Sequence, residues 1–315
     1  MAEFDLIARI RQRVAQRDDV VLGIGDDAAL LRVPAGRELV VAMDTLNAGV
    51  HFPNETSPAD IGWKALAVNL SDLAAMAAEP AWCTLSLSLP QADADWLDAF
   101  LDGFLGLAAL HGVALVGGDT TRGPLSVCVT VHGFVAPGQA RRRDAARVGD
   151  TVWVSGTLGD AAGGLAQWRE GQAADLYLRE RLDRPMPRLA LRPALRHAHA
   201  CIDVSDGLLA DLGHVCAASG VGVQLDIDAL PASVALRANF DADARRRLQA
   251  TGGDDYELCF TAPASAREAI EREAAIAGVA ATAIGRVVAG EGVQALGADG
   301  SPWVAERKGY DHFGV

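Results

Sequence analysis

Aspartates recur beside glycine or at the ends of apolar runs in five separate segments of the chain. A single aspartate in such a place is usually a turn or cap residue, because its side chain bonds readily to nearby backbone. Aspartates that follow several strands can also ligate a cation, so the set indicates more than any one member. Its members are Asp26, Asp27, Asp44, Asp119, Asp203, Asp206, Asp254 and Asp255.

Asp72 supplies an independent indication. It follows Ile61, Ala65 and Val68 at helical spacing, which places it on the apolar face of a predicted helix. A buried carboxylate needs a partner, and the one lysine of this helix, Lys64, lies on another face. A metal ion is one such partner, and backbone donors or an arginine at the rim of the core are the alternative.

Oxygen ligands without cysteine or histidine favour Mg²⁺, which binds through carboxylates, waters and substrate phosphates. The composition agrees, since 41 acidic residues against 28 basic ones give a formal charge of −13. Such a charge opposes binding of nucleic acid through a basic surface. We therefore expect an anionic, phosphate-bearing ligand that a divalent cation connects to the protein.

Common nucleotide-binding motifs are poorly matched. The chain has two lysines, Lys64 and Lys308, and neither stands in the Gly-Lys-Ser/Thr context of a P-loop. Residues 23–28 with Asp44 imitate a Rossmann fingerprint, but two aspartates would face the pyrophosphate. The glycine-rich segment 155–164 either presents N–H groups to a phosphate at a helix N-terminus or is a plain turn.

His51, in the loop after Asp44, is either a contact for an anionic or hydroxylated substrate or an ordinary loop histidine.

The periodicity of apolar residues indicates a mixed α/β chain. Helices are predicted at about 4–14, 57–77 and 93–110, and strands at 20–22, 38–43, 82–89, 113–116, 125–135 and 151–155. Pro137, Gly138 and Gly149 indicate a boundary. We expect two α+β domains, at 1–138 and 149–315, with the strands at 82–89 and 125–135 in one sheet.

Length and composition exclude several classes. With 315 residues, half of them hydrophobic, the chain can bury a core and is expected to be ordered nearly throughout. Its longest apolar stretch, 103–118, is too short to span a bilayer. Neither a targeting signal at the start nor a paired pattern among the five cysteines is visible. We expect a cytoplasmic protein without disulfides.

Seven segments together carry a resemblance to a known family. They are Gly-Ile-Gly-Asp-Asp-Ala-Ala-Leu at 23–30, Asp-Thr-Leu at 44–46, Val-Asn-Leu-Ser-Asp-Leu-Ala-Ala-Met at 68–76, Gly-Gly-Asp-Thr-Thr at 117–121, Ile-Asp-Val-Ser-Asp-Gly at 202–207, Gly-Gly-Asp-Asp-Tyr-Glu-Leu at 252–258 and Gly-Tyr-Asp-His-Phe at 309–313. In this order they resemble the thiamine-monophosphate kinases over essentially the whole chain.

The resemblance implies an α/β (α+β), two-domain PurM-like fold, shared with aminoimidazole ribonucleotide synthetase and selenophosphate synthetase. It implies a homodimer, with the N-terminal sheet joining that of its mate in a barrel, and a C-terminal α/β domain. It also implies that ATP gives its γ-phosphate directly to thiamine monophosphate, without a phosphoenzyme. Such transfer needs charge neutralisation and positioning rather than covalent chemistry from the protein.

Site residues follow from the same resemblance. Several Mg²⁺ ions are expected at Asp27, Asp44, Asp72, Asp119, Asp203 and Asp206, with the main-chain carbonyl of Met43. ATP is expected at Gly118, Asp119, Arg143, Ser205 and His111. Thiamine monophosphate is expected at His51, Asp254 and Tyr310. No residue is expected to act as nucleophile or general base.

This chain departs from the family pattern at four positions. Ala42 and Met43 replace hydroxyl residues before Asp44, which leaves only main-chain carbonyls for one cation. His111 stands where tyrosine is usual, and Asp254 where glutamate is usual.

Two other functions remain possible from the sequence. One is another ATP-dependent activity of the same superfamily, although a selenophosphate synthetase needs a reactive cysteine near the N-terminus and the first here is Cys83. The other is a non-enzymatic protein whose acidic loops bind divalent ions to order the fold.

Overall fold

The computed structural model describes residues 3–307 and 309–310. The chain forms two compact units. The first comprises Met1–Leu73 and Ala78–Gly138, and the second comprises Ala74–Ala77 and Gln139–Val315.

Three helices and six strands make up the first unit among the described residues, although the last two residues of α2 are counted in the second unit. They are α1 (Glu3–Arg13), β1 (Val20–Leu22), β2 (Leu30–Leu31), β3 (Glu38–Asn47), α2 (Pro58–Ala75), β4 (Glu79–Leu89), α3 (Ala94–His111), β5 (Ala114–Arg122) and β6 (Ser126–Val135).

The helix starts follow from local capping. Ser57 accepts a hydrogen bond from the Asp60 N–H at 3.2 Å and donates to its carboxylate, so this pair satisfies one of the free N–H groups in the first turn of α2. Asp93 caps α3 by accepting from the N–H groups of Asp95 and Trp96.

The strands β3, β6, β4 and β5 form a sheet in that order. As predicted, β4 and β6 are neighbours, and they run antiparallel, whereas β4 and β5 run parallel. The sheet of this described part of the chain has two open edges and does not close into a barrel.

Two predicted strand ends are wrong. Asp44 lies inside β3, which pairs with β6 along its whole length, from Glu38 opposite Val135 to Asn47 opposite Ser126. Asp119 lies inside β5, which continues beyond the two glycines after a bulge at Val116. Pairing with a neighbouring strand extends both elements past residues that disfavour strands on their own.

The hairpin of β1 and β2 packs on the buried residues Trp82 and Phe134 of the sheet. Asp19 fixes it there, accepting from the Trp82 indole at 3.0 Å and pairing with Arg17. The loop between the two hairpin strands contains the Gly-Ile-Gly-Asp-Asp segment, so this anchoring positions the first acidic motif.

The second unit contains the remaining described α-helices and β-strands. They are β7 (Asp150–Ser155), α4 (Asp160–Arg169), α5 (Leu176–Asp183), α6 (Arg192–Leu195), β8 (Ala200–Val204), α7 (Leu208–Ser219), β9 (Gly222–Asp226), α8 (Val234–Asn239), α9 (Ala242–Thr251), β10 (Glu257–Pro263), α10 (Arg267–Ile276), β11 (Ala281–Val288), β12 (Gly292–Leu296) and β13 (Pro302–Trp303).

Its seven strands form one sheet in the order β13-β12-β9-β11-β7-β10-β8. Apolar clusters cover it on both sides. One contains Val154, Ile202 and Leu212, and the other contains Trp153, Phe260 and the upstream residue Ala74. Because β8 is an edge strand, the loop after it leaves the sheet beside β10 alone.

No helix in the described ranges is long and apolar enough to traverse a bilayer. All five cysteines are free thiols, and all but Cys128 are buried.

Candidate functional site

A cleft of about 830 Å³ lies in the first unit. Its walls come from α1, from the loop between β1 and β2, and from β4 and β5. The lining residues include Ile7, Arg11, Gly25, Asp27, Thr84, Gly118 and Asp119.

Asp27 and Asp119 share this cleft although they are far apart in sequence, as their predicted common role requires. Both residues are exposed to solvent. The Asp26 carboxylate accepts from the Asp27 N–H at 2.8 Å, which stabilises the turn that carries Asp27. The cleft is therefore lined by two aspartates from separate elements.

Gly118 lies beside Asp119 with φ of +146°, a conformation that residues other than glycine rarely adopt. A Cβ there would lie 1.8 Å from the Leu85 carbonyl oxygen on β4. The backbone conformation and the nearby strand therefore require glycine at position 118, independently of its expected contact with ATP.

Asp44 and α2 are connected through a buried asparagine. The Asp44 N–H donates to the Asn69 side chain at 2.8 Å, and Asn69 in turn donates to the Ala65 carbonyl. Asp72 follows Asn69 by three residues, so the two lie on one face of the helix. Asp44 therefore lies next to the turn that precedes Asp72.

Asp72 is only partly buried on the helix α2. α2 is buried around most of its surface, and even Lys64 is only 1% exposed, whereas Asp72 is half-buried. The proximity of Asp72 to Asp44, rather than its burial, therefore supports Asp72 as a metal ligand.

The direction of each main-chain carbonyl along β3 decides whether Met43 can offer its oxygen to a cation. The Asp44 N–H bonds to α2, and successive strand residues point their N–H and C=O groups to opposite sides. The carbonyl of Met43 therefore points towards Thr130 in the ladder with β6, and that of Ala42 points to the open edge. Ala42 offers the better placed main-chain oxygen for a cation.

His51 belongs to a tight loop after β3. Its Nδ1 accepts from the Asn47 N–H at 2.9 Å, and its carbonyl accepts from the buried Lys64 ammonium at 3.0 Å. An accepting Nδ1 assigns the proton of the neutral ring to Nε2. His51 is thereby set up as a hydrogen-bond donor.

His111 and Arg143, two of the three remaining residues expected to contact ATP, are not among the residues that line the cleft. His111 is the last residue of α3, and burial lowers its pKa. Arg143 is exposed at the start of a 3₁₀ turn whose main chain accepts from Ser219 at 2.7 Å.

In the second unit, the expected residues gather around the loop Ser205–Gly207, which follows β8. Asp203 is buried near the end of β8, and Ser205 and Asp206 are half-buried in the loop. The loop carbonyls accept from two distant segments: Ser205 from the Asp254 N–H at 2.8 Å, and Asp206 from the Tyr310 N–H at 2.9 Å. Five residues predicted from separate motifs thus meet at one loop.

Asp211 was not predicted, yet it holds this loop. Its Oδ2 accepts from the N–H groups of Ser205, Asp206 and Gly207 at 3.0, 3.1 and 3.1 Å. Burial, followed by the charges of Asp203 and Asp206, raises its pKa to about 7. The signal in the sequence was an aspartate in the first turn of the helix after the loop, where a carboxylate can reach back to free N–H groups.

Asp254 has a strained backbone, with φ of +69°, and accepts from the Tyr256 hydroxyl at 3.1 Å. Tyr310 is about half exposed. The rest of the terminal motif, Asp311 to Phe313, lies outside the described residues.

The glycine-rich segment 155–164 does form strand, loop and helix, but its main-chain donors are not open to a phosphate. The N–H groups of Gly156, Leu158 and Gly159 donate to the carbonyls of Ala280 and Pro231 and to the Asp255 carboxylate. Of the two interpretations left open by the sequence, the structure favours the plain turn for these three groups, because protein acceptors from distant segments already bind them.

A buried ionic network supports this region. Glu257, fully buried, accepts from Arg181, Arg188 and the Ser155 hydroxyl. Asp160 accepts from Thr157 and Ser233. The network has not been predicted from sequence because its members come from separate segments without a common motif.

Charge balance in this network has a consequence for Asp255. In the contacts of the described residues, three buried carboxyl groups (Asp160, Asp255 and Glu257) outnumber the two guanidinium groups of the network (Arg181 and Arg188). Burial raises the pKa of Asp255 well above its usual range, an effect that the Gly159 N–H and Arg181 only partly offset. Burial raises the pKa of Asp160 in the same direction.

Asp255→Asn should therefore make the protein less sensitive to alkaline pH. A carboxyl with a raised pKa stabilises the fold below its unfolded pKa, and this stability is lost as the pH rises through the folded pKa. As the pH rises above about 4, the ordinary pKa of a carboxyl group, wild-type unfolding free energy should fall relative to that of the variant, by up to about 1.4 kcal/mol per pH unit until the raised pKa of Asp255 is passed. Urea unfolding at several pH values measures this difference.

Glu257→Gln is the contrasting variant, because it removes the counter-charge of two buried guanidinium groups. It should cost about 3–5 kcal/mol near neutral pH. Parallel pH curves for wild type and Asp255→Asn would contradict a protonated Asp255.

The donor set fits Mg²⁺. Among the described residues, no three histidine, cysteine, aspartate or glutamate side chains lie close enough to hold a metal alone. Mg²⁺ does not require such a cage, because it commonly takes one or two carboxylates and completes its shell with water and phosphates. Asp27 and Asp119 in one cleft meet that requirement.

Comparison with known proteins identifies the family. Residues 25–135 match the AIR synthase related proteins, N-terminal domain, and residues 147–297 match their C-terminal domain. The thiamine-monophosphate kinase of Salmonella typhimurium is 48% identical over 319 residues, covering 99% of this chain and 98% of that protein. That of Bacillus subtilis is 36% identical over 332 residues, with 99% and 100% covered.

Solved structures agree. The thiamine-monophosphate kinase of Stenotrophomonas maltophilia K279a is 57% identical, with a TM-score of 0.89 over 96% of this chain and 98% of that one. A structure of AaThiL complexed with AMPPCP and TMP is 33% identical, with a TM-score of 0.79 over 99% and 97%. The fold is thus the mixed α/β, two-domain PurM-like fold, and the chain belongs to the AIR synthase related proteins and, within them, to the thiamine-monophosphate kinase family.

Proposed function

We propose that this protein is a thiamine-monophosphate kinase, which transfers the γ-phosphate of ATP to thiamine monophosphate and releases thiamine diphosphate and ADP. The observation that carries the proposal is the cleft in which Asp27, Gly118 and Asp119 meet, in a chain that matches such kinases over its full length. The relative complexed with AMPPCP and TMP supports both substrates.

The carboxylates are proposed to hold magnesium: Asp27, Asp44, Asp72 and Asp119 in the first unit, and Asp203 and Asp206 in the second. When bound, Mg²⁺ neutralises the phosphate oxygens, which otherwise repel an acidic protein and each other. The domains 1–138 and 149–315 are proposed to carry these two sets.

The remaining residues position the substrates. Gly118, His111, Arg143 and Ser205 are proposed to contact ATP. His51, as an Nε2–H donor, is proposed to contact thiamine monophosphate together with Asp254 and Tyr310, the last by stacking on the thiamine ring. Transfer is direct and in line, and a general base is unnecessary because the acceptor phosphate oxygen is already ionised near neutral pH.

The decisive assay incubates the purified protein with ATP, Mg²⁺ and thiamine monophosphate and resolves thiamine diphosphate by chromatography. Thiamine in place of its monophosphate tests the requirement for a phosphate acceptor, and EDTA tests the requirement for the cation. ATP hydrolysis without thiamine diphosphate would contradict the proposed acceptor. Magnesium binding with no effect of either substrate would favour a non-enzymatic protein.

We also propose a homodimer formed through the sheet of the first unit, closing a barrel. Leu39, Val41 and Met43 are alternate residues of β3, so their side chains share one face of the strand. This face is apolar, yet the three residues are 45%, 54% and 61% exposed. Opposite Val41 and Met43 lie His132 and Thr130 of β6. A sheet buries its apolar face against another layer, and a second copy of this chain supplies one.

Val41→Asp should convert this dimer into a monomer, because it places a charge in the proposed apolar interface. Size-exclusion chromatography with light scattering measures the mass. Cys128 provides a second readout, since it lies on the same face opposite Thr45. Its thiol should react slowly with DTNB in wild type and quickly in the variant.

The matched control is Val148→Asp, at a similarly exposed valine of the second unit. It should change neither the mass nor the labelling of Cys128. A wild-type monomer, or rapid labelling of Cys128 in wild type, would contradict this interface.

The protein is proposed to act in the cytoplasm, where ATP is available and where free cysteines persist as thiols.

A further inference from the structure

The loop Ser205–Gly207 lies at the N-terminal end of the twelve-residue helix α7. Three successive N–H groups at such a place would ordinarily bind an anion, because they lack intrahelical partners and the helix dipole favours negative charge. We call the three N–H groups of Ser205, Asp206 and Gly207 the amide cradle. A phosphate-transferring protein could use this cradle directly to bind a substrate phosphate.

Here a protein carboxylate already occupies the cradle. Asp211 Oδ2 accepts all three N–H groups within 3.1 Å, and the Asp211 residue is only 3% exposed. The Asp211 N–H closes the turn by donating to the Gly207 carbonyl at 3.0 Å. The Gly207 backbone, with φ of +125°, makes this geometry possible, and a Cβ there would lie 2.8 Å from the main chain of Thr251.

The other side of the loop is also fully used. Its carbonyls hold the N–H groups of Asp254 and Tyr310, so the position of the loop sets the position of both segments. One carboxylate oxygen therefore fixes the main chain from which Ser205, Asp206, Asp254 and Tyr310 extend.

We propose that Asp211 is a positioning residue that fills the amide cradle at the start of α7, so that phosphate reaches this loop only through a bound cation or side chains. The proposal rests on the proposed kinase function for its catalytic consequence. The other part of the proposal, that an internal carboxylate closes the cradle to free anions, does not depend on the kinase function.

The central variant is Asp211→Asn, which keeps one oxygen acceptor but removes the charge. It should fold, because an amide oxygen still accepts from the loop. Its kcat should fall about 10–100-fold, the usual effect of losing a group that orients ligands. The Mg²⁺ concentration for half-maximal activity should rise, a change that a purely structural residue would not produce.

Asp211→Ala opens the cradle, which gives a second readout independent of catalysis. In EDTA, isothermal titration with inorganic phosphate should show binding to this variant and none to wild type. Asp226→Ala is the matched control, since Asp226 also accepts two main-chain N–H groups of the second unit, those of Asp228 and Ala229. It should leave kcat, the Mg²⁺ dependence and phosphate binding unchanged.

Wild-type kcat and Mg²⁺ dependence in Asp211→Asn would overturn the positioning role, as would a folded Asp211→Ala that binds no phosphate. If the alanine variant does not fold, the asparagine variant decides, and its failure to fold would assign Asp211 to stability alone. If wild type lacks kinase activity, the proposed function fails while phosphate titration still tests the filled cradle.

Discussion

Asp119→Asn should lower kcat/KM for thiamine monophosphate on the order of 10²–10³-fold, the range for removing one group that stabilises transition-state charge. Asp119 lies in the cleft with Asp27, where an amide cannot replace a carboxylate as a strong magnesium ligand. Since the side chain is exposed, the melting temperature should change little. Steady-state kinetics over a range of Mg²⁺ concentrations measure the effect.

The control for this variant is Asp18→Asn, which removes the same charge from an exposed position of the first unit outside the cleft. It separates a local effect from the change in net charge. An equal loss of kcat/KM in the two variants would show that Asp119 acts only through the net charge of the protein. Full activity of Asp119→Asn at limiting Mg²⁺ would remove Asp119 from the cation site.

Gly118→Ala should destabilise the protein by about 3–5 kcal/mol and abolish activity. Two costs combine: the positive φ disfavours any side chain, and the new Cβ would meet the main chain of Leu85 at 1.8 Å. The strand pair β4–β5 must then shift, and the attached Asp119 moves with it. Thermal unfolding followed by circular dichroism should show a melting temperature lowered by about 6–12 °C.

The neighbouring glycine provides a close control. A Cβ at Gly117 would meet only the Thr84 methyl group at 4.0 Å, and its φ is not in the positive range. Gly117→Ala should therefore change stability by less than about 1 kcal/mol. If the two variants have the same melting temperature, the close approach of Gly118 to β4 is not the reason why glycine is needed at position 118.

The predicted helices agree with the structure to within two residues at their termini, because their signals are local. The apolar spacing and the caps at Ser57 and Asp93 lie in the same few residues as the helices that they start. Strand ends were less predictable. Asp44 and Gly117 discourage strands locally, but pairing with β6 and β4 extends both strands, and such pairing depends on residues distant in sequence.

The candidate site divides in the same way. The family resemblance of the motifs led to Ser205, Asp206, Asp254 and Tyr310, which the structure joins by main-chain hydrogen bonds. It missed Asp211, whose importance lies in which donors its carboxylate reaches. The sequence also left the role of the loop after β7 open, because a glycine-rich pattern does not reveal that Asp255 accepts a hydrogen bond from one of its N–H groups.

One short segment limits how the chain can be divided. Ala74–Ala77 are counted with residues that begin at Gln139, and Ala74 and Ala75 fill a cluster with Leu191 and Ile270. A fragment that starts at residue 139 would expose the apolar surface that these alanines cover. Truncation, circular permutation or exchange of halves between relatives therefore has to carry this upstream tetrapeptide along, or supply a substitute for it.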